Sequence, residues 1–391
     1  MKVTIVSDVF GEPNNGTTIA AMHLIKALSE KGHTVRILCP DKDKKHLANY
    51  FVVGTFDFGP FNTIVDKNGV KLAKGDTVTI ARALHDTDEV HIMMPFALGR
   101  KTLKIAHRLG IPASAGFHVQ AENVTSHLFN WMDSRFINLI VYHNFYDHFY
   151  KGVDAIHYPT QFIRDTFEKA VKHTTPGYVI SNGVSKDFHH KDIVRPADVD
   201  HKFVILCTGR FSKEKKQRLL IKAWALSKHK DDIQVVFAGE GPRLEEMKRE
   251  ATKCGVSPIY RFFTRPELVD AINCSDLYVH TSEVEIEAIS CLEAISCGIV
   301  PVINDSPKSA TRYFALTPNN LFSLNNPTDL AKKIDYWIEH PEEREKNIAL
   351  YAPFAHRFDF DHCMEEMEKM ILNVAALGPA KKEKLGIKKN G

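Results

Sequence analysis

The sequence lacks several features that mark specialised classes of protein. Its 391 residues contain no run of about 18 apolar residues, the length that a membrane-spanning helix needs. Lys and Arg number 51 against 48 Asp and Glu, so the excess of cations typical of proteins that wrap nucleic acid is missing. An apolar run begins directly after Met1 and Lys2, which leaves no room for a signal peptide. We therefore expect a cytoplasmic protein that does not bind nucleic acid.

Signatures of hydrolases and metal sites are missing as well. The seven cysteines form no C-x-x-C pair, which argues against a zinc knuckle or a disulfide framework. No G-x-S-x-G motif occurs, and the spacing of His143 and His148 does not place them on one face of a helix. Buried thiols are the simplest role for the cysteines.

What the sequence contains is an alternation of short apolar runs and helical segments. An apolar run at 3–9, a helix from Thr17 and a second apolar run at 35–38 are typical of a βαβ unit and predict a parallel sheet. The helix is expected to bury one stripe of apolar side chains at three-residue steps. These are Ile19, Met22, Ile25 and Leu28.

The alternation occurs twice along the chain, and a polar stretch at 185–201 separates the two series. We expect an α/β protein of two Rossmann-like, doubly wound domains that face an interdomain cleft. The expected domains are residues 1–184 and 185–356. Residues 357–391 are expected to form a helix that crosses back to the first domain and a basic tail.

A pair of glutamates gives the first candidate site. Glu285 and Glu293 lie within a segment predicted to be helical over 285–297. On one helix they would project about 80° apart with about 12 Å of axial rise, so they would contact different parts of one elongated ligand. The start of that helix would also offer N–H groups to a phosphate. Their spacing fits equally well a second interpretation, in which acidic residues merely complement the helix dipole.

A cluster of cations gives the second candidate site. Arg210 and Lys215 follow the predicted strand at 203–207, on a loop that leads to a helix. An arginine can bind a diphosphate through parallel hydrogen bonds, and a lysine acts as a point charge. A solvated turn is the alternative.

Read together, these segments resemble the retaining GT-B glycosyltransferases of family 4. Glu285 and Glu293 match the E-x7-E motif of the family, and the second glutamate also begins its E-A-x-x-x-G-x-x-P-V pattern. Residues 209–215 match the family's G-R-L-x-x-E-K-G pattern. The resemblance implies that Glu285 contacts the sugar and Glu293 the ribose of a nucleotide sugar, while Arg210 and Lys215 bind its diphosphate.

The chain departs from these motifs at two positions where the family has glycine. Glu287 and Ala288 stand in place of Phe-Gly, and Lys216 stands where glycine is common. Alanine keeps the backbone N–H that meets the donor, so the expected donor contacts include Glu287, Ala288 and Ile289. Glu287 leaves the identity of the donor open.

Weaker matches complete the expected donor site. His118 follows a predicted strand where the family has a histidine that hydrogen-bonds the donor sugar, although a lone histidine there is often structural. The N-terminal loop corresponds to the family's Gly-Gly loop, with Gly16 and Thr17 as contacts. Gly239 and Gly241 match its G-x-G-P loop, where glycine would let the backbone approach the nucleotide.

The resemblance implies transfer without a metal or another cofactor. No Asp-x-Asp pair is predicted at a strand end, and Asp41 and Asp43 belong to a lysine-rich loop. The implied mechanism is front-face transfer, in which the departing phosphate oxygen takes the acceptor's proton and the new bond is α. The expected donor is UDP-glucose or UDP-galactose.

The acceptor is expected to bind the first domain, where Gln120, Glu122 and Asn123 are candidate contacts. An aromatic stretch at 128–150 predicts either core packing or a lipid groove. One predicted helix carries four cations, which form either a solvated face or an attachment to an anionic membrane. These are Arg100, Lys101, Lys104 and Arg108.

These stretches look like those of bacterial enzymes that glucosylate diacylglycerol at the inner face of the cell membrane. The expected function is therefore hexose transfer to a membrane lipid by a cytoplasmic or peripheral enzyme. The alternatives are transfer to a capsule or other glycan, epimerisation of a UDP-sugar, and a non-catalytic partner subunit. An epimerase would change the sugar without an acceptor, and a non-catalytic subunit need bind no nucleotide sugar.

Overall fold

The computed structural model describes residues 1–8, 16–56, 73–122, 134–197, 199 and 201–387. The chain divides into two compact units. The first comprises residues 1–182 together with 363–391, and the second comprises residues 183–362.

The first unit is built on a seven-stranded parallel sheet, with strand order β3-β2-β1-β6-β7-β8-β9. The strands are β1 (Lys2–Val6), β2 (Thr34–Cys39), β3 (Tyr50–Val52), β6 (Glu89–Ile92), β7 (Ala113–Gly116), β8 (Ala155–Tyr158) and β9 (Gly177–Val179). A short antiparallel pair consists of β4 (Gly54–Thr55) and β5 (Ala73–Lys74). The central strands β6, β7 and β8 are buried along their whole length, as expected of a parallel sheet covered on both faces.

Helices connect these strands and close the unit. They are α1 (Gly16–Glu30), α2 (Thr77–Ala83), α3 (Ala97–Leu109), α4 (Arg135–His148) and α5 (Gln161–Val171). The predicted buried stripe of α1 is only partly right: Leu28 is buried, but Met22 is 42% exposed and Ile19 and Ile25 are half-buried, whereas Ala20 and Leu24 are buried instead. Three-residue steps advance about 300° around a helix, so such a series drifts off one face, whereas steps of three and four residues stay on it.

The second unit repeats the architecture with a six-stranded parallel sheet of order β12-β11-β10-β13-β14-β15. Its strands are β10 (Phe203–Thr208), β11 (Ile233–Ala238), β12 (Ile259–Arg261), β13 (Leu277–His280), β14 (Pro301–Asn304) and β15 (Leu321–Phe322). Its helices are α6 (Arg218–Leu226), α7 (Leu244–Cys254), α8 (Arg265–Asn273), α9 (Ile289–Ser296), α10 (Pro327–Glu339) and α11 (Pro341–Ala355). The last helices of the chain are α12 (Phe360–Ala375) and α13 (Gly378–Lys384). The two parallel sheets confirm the expected fold class.

Two glycines let the loops after β10 and β11 pack against each other. A Cβ atom on Gly239 would lie 2.2 Å from the Gly209 carbonyl oxygen, and one on Gly241 would lie 2.5 Å from the Phe211 carbonyl oxygen. Both glycines have positive φ angles, 152° and 155°. The Phe211 N–H also donates to the Glu240 carbonyl at 2.8 Å. These glycines are therefore required by contact between two protein loops, whatever ligand binds beside them.

Among the described helices, none is both long and apolar enough to cross a membrane.

Replacing Gly241 by alanine should destabilise the second unit by roughly 2–3 kcal/mol, because the new methyl group would overlap backbone that cannot rotate away. The unfolding can be followed by tryptophan fluorescence, since Trp224 and Trp337 are buried in that unit. Gly54→Ala is the control, because nothing lies within 4 Å of its Cβ position. Equal stability of the two variants would contradict this account of the loop contact.

Candidate active site

The two predicted motifs of the second unit meet at the carboxyl ends of β10 and β13. Lys215, on the loop after β10, places its Nζ against Oε1 of Glu285, on the loop after β13. The Nε2 atom of His280, the last residue of β13, lies 3.3 Å from the same carboxylate oxygen. One carboxylate therefore faces two nitrogen groups at the edge of the sheet where doubly wound folds bind ligands.

Hydrogen bonds to the backbone hold these two loops in register. The Thr281 hydroxyl donates to the Lys215 carbonyl at 2.6 Å, and the Glu283 N–H donates to the Glu214 carbonyl at 2.8 Å. The Ala310 N–H donates to the Glu285 carbonyl at 2.9 Å. The Lys215–Glu285 contact is thus fixed by the backbone on both sides, and not only by the two long side chains.

The surroundings keep both members of this pair charged. Burial by itself would raise the pKa of Glu285, but the Lys215 charge and the nearby His280 ring outweigh it and lower that pKa to about 2. Burial by itself would lower the pKa of Lys215, but the charge of Glu285 outweighs it and raises that pKa. At neutral pH the Glu285 carboxylate can therefore accept hydrogen bonds from hydroxyl groups, and Lys215 can neutralise an anion.

The predicted helix over 285–297 is wrong at its start. Helix α9 begins at Ile289, and Glu285 lies before it in extended backbone that forms an isolated bridge with Ser309. Glu285 and Glu293 therefore do not share a helix, and the projection angle expected for one helix does not apply. The pairing with Ser309 holds this backbone extended, and the sequence pattern alone does not predict that pairing.

Glu293 lies within α9 and has the opposite electrostatic character. Burial raises the pKa of its carboxyl to about 7, and the charge of Arg265 opposes this shift only in part. Of the other expected donor contacts, Glu287 is buried and Ile289 is the first residue of the helix.

Both positions where the family has glycine adopt left-handed backbone in this chain. Ala288 caps the start of α9 with φ 58° and ψ 61°, and Lys216 has φ 53°. Only glycine adopts these angles without strain, which explains the family preference. Lys216 pairs with Glu283 at 2.8 Å, and Lys308 lies 3.6 Å from the other oxygen of that carboxylate. His280 and Glu283 were not predicted, although both flank the motif at Glu285.

In the first unit, His118 lies just beyond the end of β7. Its ring covers Gly116 so closely that a Cβ atom there would lie 2.4 Å from Nε2, and it makes an edge contact with the His157 ring at 5.4 Å. Burial and then the neighbouring charges of His157 and His91 lower the pKa of His118 well below its usual range. Its Nε2 has no hydrogen-bond partner among the described residues. His118 is therefore a neutral imidazole whose Nε2 is buried over Gly116.

The remaining predicted residues of the first unit are placed as follows. Gln120 is buried, and Glu122 accepts a hydrogen bond from the Tyr142 hydroxyl at 3.0 Å. Asn123 lies outside the described residues, as does the start of the aromatic stretch up to residue 133. Gly16 and Thr17 form the start of α1.

The four cations of α3 fall into two pairs. Arg100 donates to the Asn144 side chain at 2.7 Å and Lys101 donates to the Gly75 carbonyl at 2.9 Å, so both contribute to the fold. Lys104 and Arg108 are exposed. Within the described part of the chain, no group of three or more His, Cys, Asp or Glu side chains is placed to hold a metal ion.

Comparison with known proteins identifies the family of the chain. Residues 14–188 match the family described as Glycosyltransferase Family 4, and residues 167–352 match the family described as Glycosyl transferases group 1. The chain therefore belongs to the family 4 glycosyltransferases of GT-B fold, and it is a glycosyltransferase.

Three similar proteins illustrate the range of the family. The alpha-monoglucosyldiacylglycerol synthase of Streptococcus pneumoniae is 22% identical over 78% of this chain and 72% of its own length. The structure of Anabaena HepE in complex with UDP and glucose is 17% identical, covers 95% of this chain and all of its own, and has a TM-score of 0.71. The catalytic domain of cholesterol-alpha-glucosyltransferase from Helicobacter pylori is 49% identical over 40% of this chain and 98% of its own, with a TM-score of 0.39, too low to compare the folds.

Ala288→Gly should stabilise the protein by about 0.5–1 kcal/mol, because it removes the strain of an L-residue in left-handed backbone. The matched control is Ala349→Gly, an exposed position inside α11, which should cost about 1 kcal/mol. Thermal unfolding of both variants checks the prediction. Destabilisation of both would show that the backbone at Ala288 is not strained.

The two glutamates should respond to pH with opposite signs. Because the pKa of Glu285 is about 2 in the fold against 4.5 ordinarily, its charge stabilises the fold above pH 4.5, and this contribution is lost as pH falls towards 2. Because the pKa of Glu293 is raised to about 7, its ionisation costs stability as pH rises above 4.5, fully so above 7.

We therefore expect Glu285→Gln to lower stability by about 2 kcal/mol at pH 8, less than for a fully buried pair because Lys215 keeps 24% exposure. Glu293→Gln should raise the melting temperature at pH 8 and leave it nearly unchanged at pH 4. Melting curves of both variants at pH 4 and pH 8 test this. A shift of the same sign in both variants at pH 8 would refute the assignment.

Proposed function

We propose that this glycosyltransferase moves a hexose from a nucleotide sugar, UDP-glucose by preference, to a hydroxyl of a membrane lipid such as diacylglycerol, with retention of the α configuration. The observation that carries the proposal is the contact between Lys215 and Glu285. It joins a cation suited to a leaving diphosphate with a carboxylate suited to sugar hydroxyls.

The donor is assigned to groups of the second unit. Arg210 and Lys215 would neutralise the diphosphate, together with the N–H groups at the start of α9, which offer the positive end of the helix dipole. Glu285, ionised at neutral pH, would accept hydrogen bonds from the sugar hydroxyls. Glu293 would accept hydrogen bonds from the ribose hydroxyls.

The proposed chemistry needs no side chain as a base. The bond between the anomeric carbon and the phosphate oxygen breaks while the acceptor oxygen bonds to the same face of that carbon. The acceptor's proton passes to the departing phosphate oxygen. His118, a neutral imidazole, is assigned a hydrogen bond to the donor sugar on the ground of the family resemblance.

Two relatives support the choice of donor and acceptor. HepE was crystallised with UDP and glucose, with UDP alone and with UDP-glucose, which favours a UDP-sugar here. The pneumococcal relative is named for glucosylation of diacylglycerol, which favours a lipid hydroxyl. If the protein docks on an anionic membrane through α3, Lys104 and Arg108 are the exposed cations available for it.

The test is transfer of labelled glucose from UDP-glucose to diacylglycerol in vesicles that contain an anionic lipid. We expect an α-glucoside by NMR, and at least a 100-fold loss of turnover in Glu285→Ala with UDP affinity changed less than threefold. Glu345→Ala is the control, an exposed glutamate of α11. Parallel reactions offer a sterol, a soluble glycan and no acceptor.

Each outcome tests a different part of the proposal. Unchanged turnover in Glu285→Ala would overturn the site. Transfer to the glycan but to neither lipid would overturn the lipid acceptor, and transfer to the sterol alone would replace diacylglycerol. An altered UDP-sugar without any acceptor would indicate an epimerase, and a protein that binds no nucleotide sugar would be a non-catalytic subunit.

A further inference from the structure

A basic cavity lies in the second unit, beside the loop that carries Lys215 but lined by other residues. Its volume is about 310 Å³, at the lower end of the range of small-molecule sites. Five of its lining residues are cations: Lys213, Lys216, Arg218, Lys222 and Arg243. Leu219 and Met247 provide an apolar part of the lining. Neither Arg210 nor Lys215, the cations assigned to the donor, lines it.

No acidic side chain is found among the described residues that line this cavity. The carboxylates that pair with the cations stand outside the lining. Glu246 lies 3.0 Å from Arg243, and Glu250 lies 3.4 Å from Arg218 and 3.5 Å from Lys222. Three carboxylates, those of Glu246, Glu250 and Glu283, thus pair with four of the five cations, so the lining cations exceed these carboxylates by two.

The start of one helix adds to this positive charge. Arg218 is the first residue of α6, whose first turn carries no acidic residue, whereas the first turn of α7 carries Glu245 and Glu246. Helix N-termini carry a partial positive charge and favour anions. The cavity therefore combines side-chain cations with the positive end of α6.

We propose that this cavity binds a phosphate monoester. Two guanidinium groups can each make paired hydrogen bonds to phosphate oxygens, and three ammonium groups neutralise the second charge of a dianion. Leu219 and Met247 suit a short carbon chain attached to the phosphate. The ligand is either a small soluble ester, such as glycerol 3-phosphate, or the headgroup of phosphatidic acid in a membrane. The proposal does not depend on the identity of the donor or acceptor.

The test compares two double variants that each remove two cations. The cavity variant combines Lys222→Gln with Arg243→Gln and so removes two positive charges from the lining. Lys228→Gln with Lys248→Gln is the matched control, because these lysines also pair with glutamates, at 3.2 and 2.9 Å, but lie outside the cavity lining. Both are made in a Lys215→Gln background, which weakens phosphate binding at the proposed donor site equally in the two variants.

Two probes distinguish the sources of the ligand. Calorimetry measures binding of glycerol 3-phosphate, and co-sedimentation measures binding to phosphatidylcholine vesicles with and without phosphatidic acid. We expect saturable binding of at least one probe, weakened at least tenfold in the cavity variant and less than twofold in the control. Binding of neither probe, or equal weakening in both double variants, would overturn the proposal. The probe that binds identifies the source.

Discussion

The contact between the Lys215 ammonium and the Glu285 carboxylate is the interaction on which the candidate site depends. The two residues are 70 positions apart, and each arrives at the carboxyl edge of the second sheet on a loop that follows a strand. Taking two charges out of water is costly, and the cost is offset only because they meet each other. Lys215 lowers the pKa of Glu285, and Glu285 raises the pKa of Lys215, so each residue keeps the other charged. The site therefore presents a cation and a carboxylate side by side at neutral pH.

The backbone around this pair is adapted to bring the loops close. Gly239 and Gly241 remove the Cβ atoms that would collide with the loop that carries Arg210, and the Gly209 N–H donates to the Ala238 carbonyl at 2.9 Å. Lys216 and Ala288 have left-handed backbone although neither is glycine, the residue that adopts it most easily. Strain of this kind persists only where surrounding contacts impose it, and at Lys216 these contacts include the hydrogen bonds from Thr281 and Glu283 to the two residues before it.

Much of this arrangement could be predicted from the sequence, because strands with continuous apolar character alternate with helices and the motifs follow the strands. The helix predicted to carry four cations is present as α3, and Lys215 of one motif contacts Glu285 of the other. Contacts that depend on tertiary structure could not be predicted. The bridge between Glu285 and Ser309 delays the start of α9, and the close fit of His118 over Gly116 depends on how the ring folds back over the sheet. Arg100 and Lys101 look like exposed cations in the sequence. In the fold, however, Arg100 donates to Asn144 and Lys101 donates to the Gly75 carbonyl.

The left-handed turn at Lys216 also connects the two proposed anion-binding regions of the second unit. Lys215 pairs with Glu285, whereas the next residue pairs with Glu283 and lines the basic cavity. Gln217, another lining residue, donates to the Arg210 carbonyl at 2.8 Å. A phosphate that draws Lys216 away from Glu283 would leave that carboxylate with Lys308 and would act directly on the loop of Lys215. Because coupling between two binding equilibria is reciprocal, any change that the cavity ligand makes to donor affinity must equal the change that the donor makes to cavity affinity.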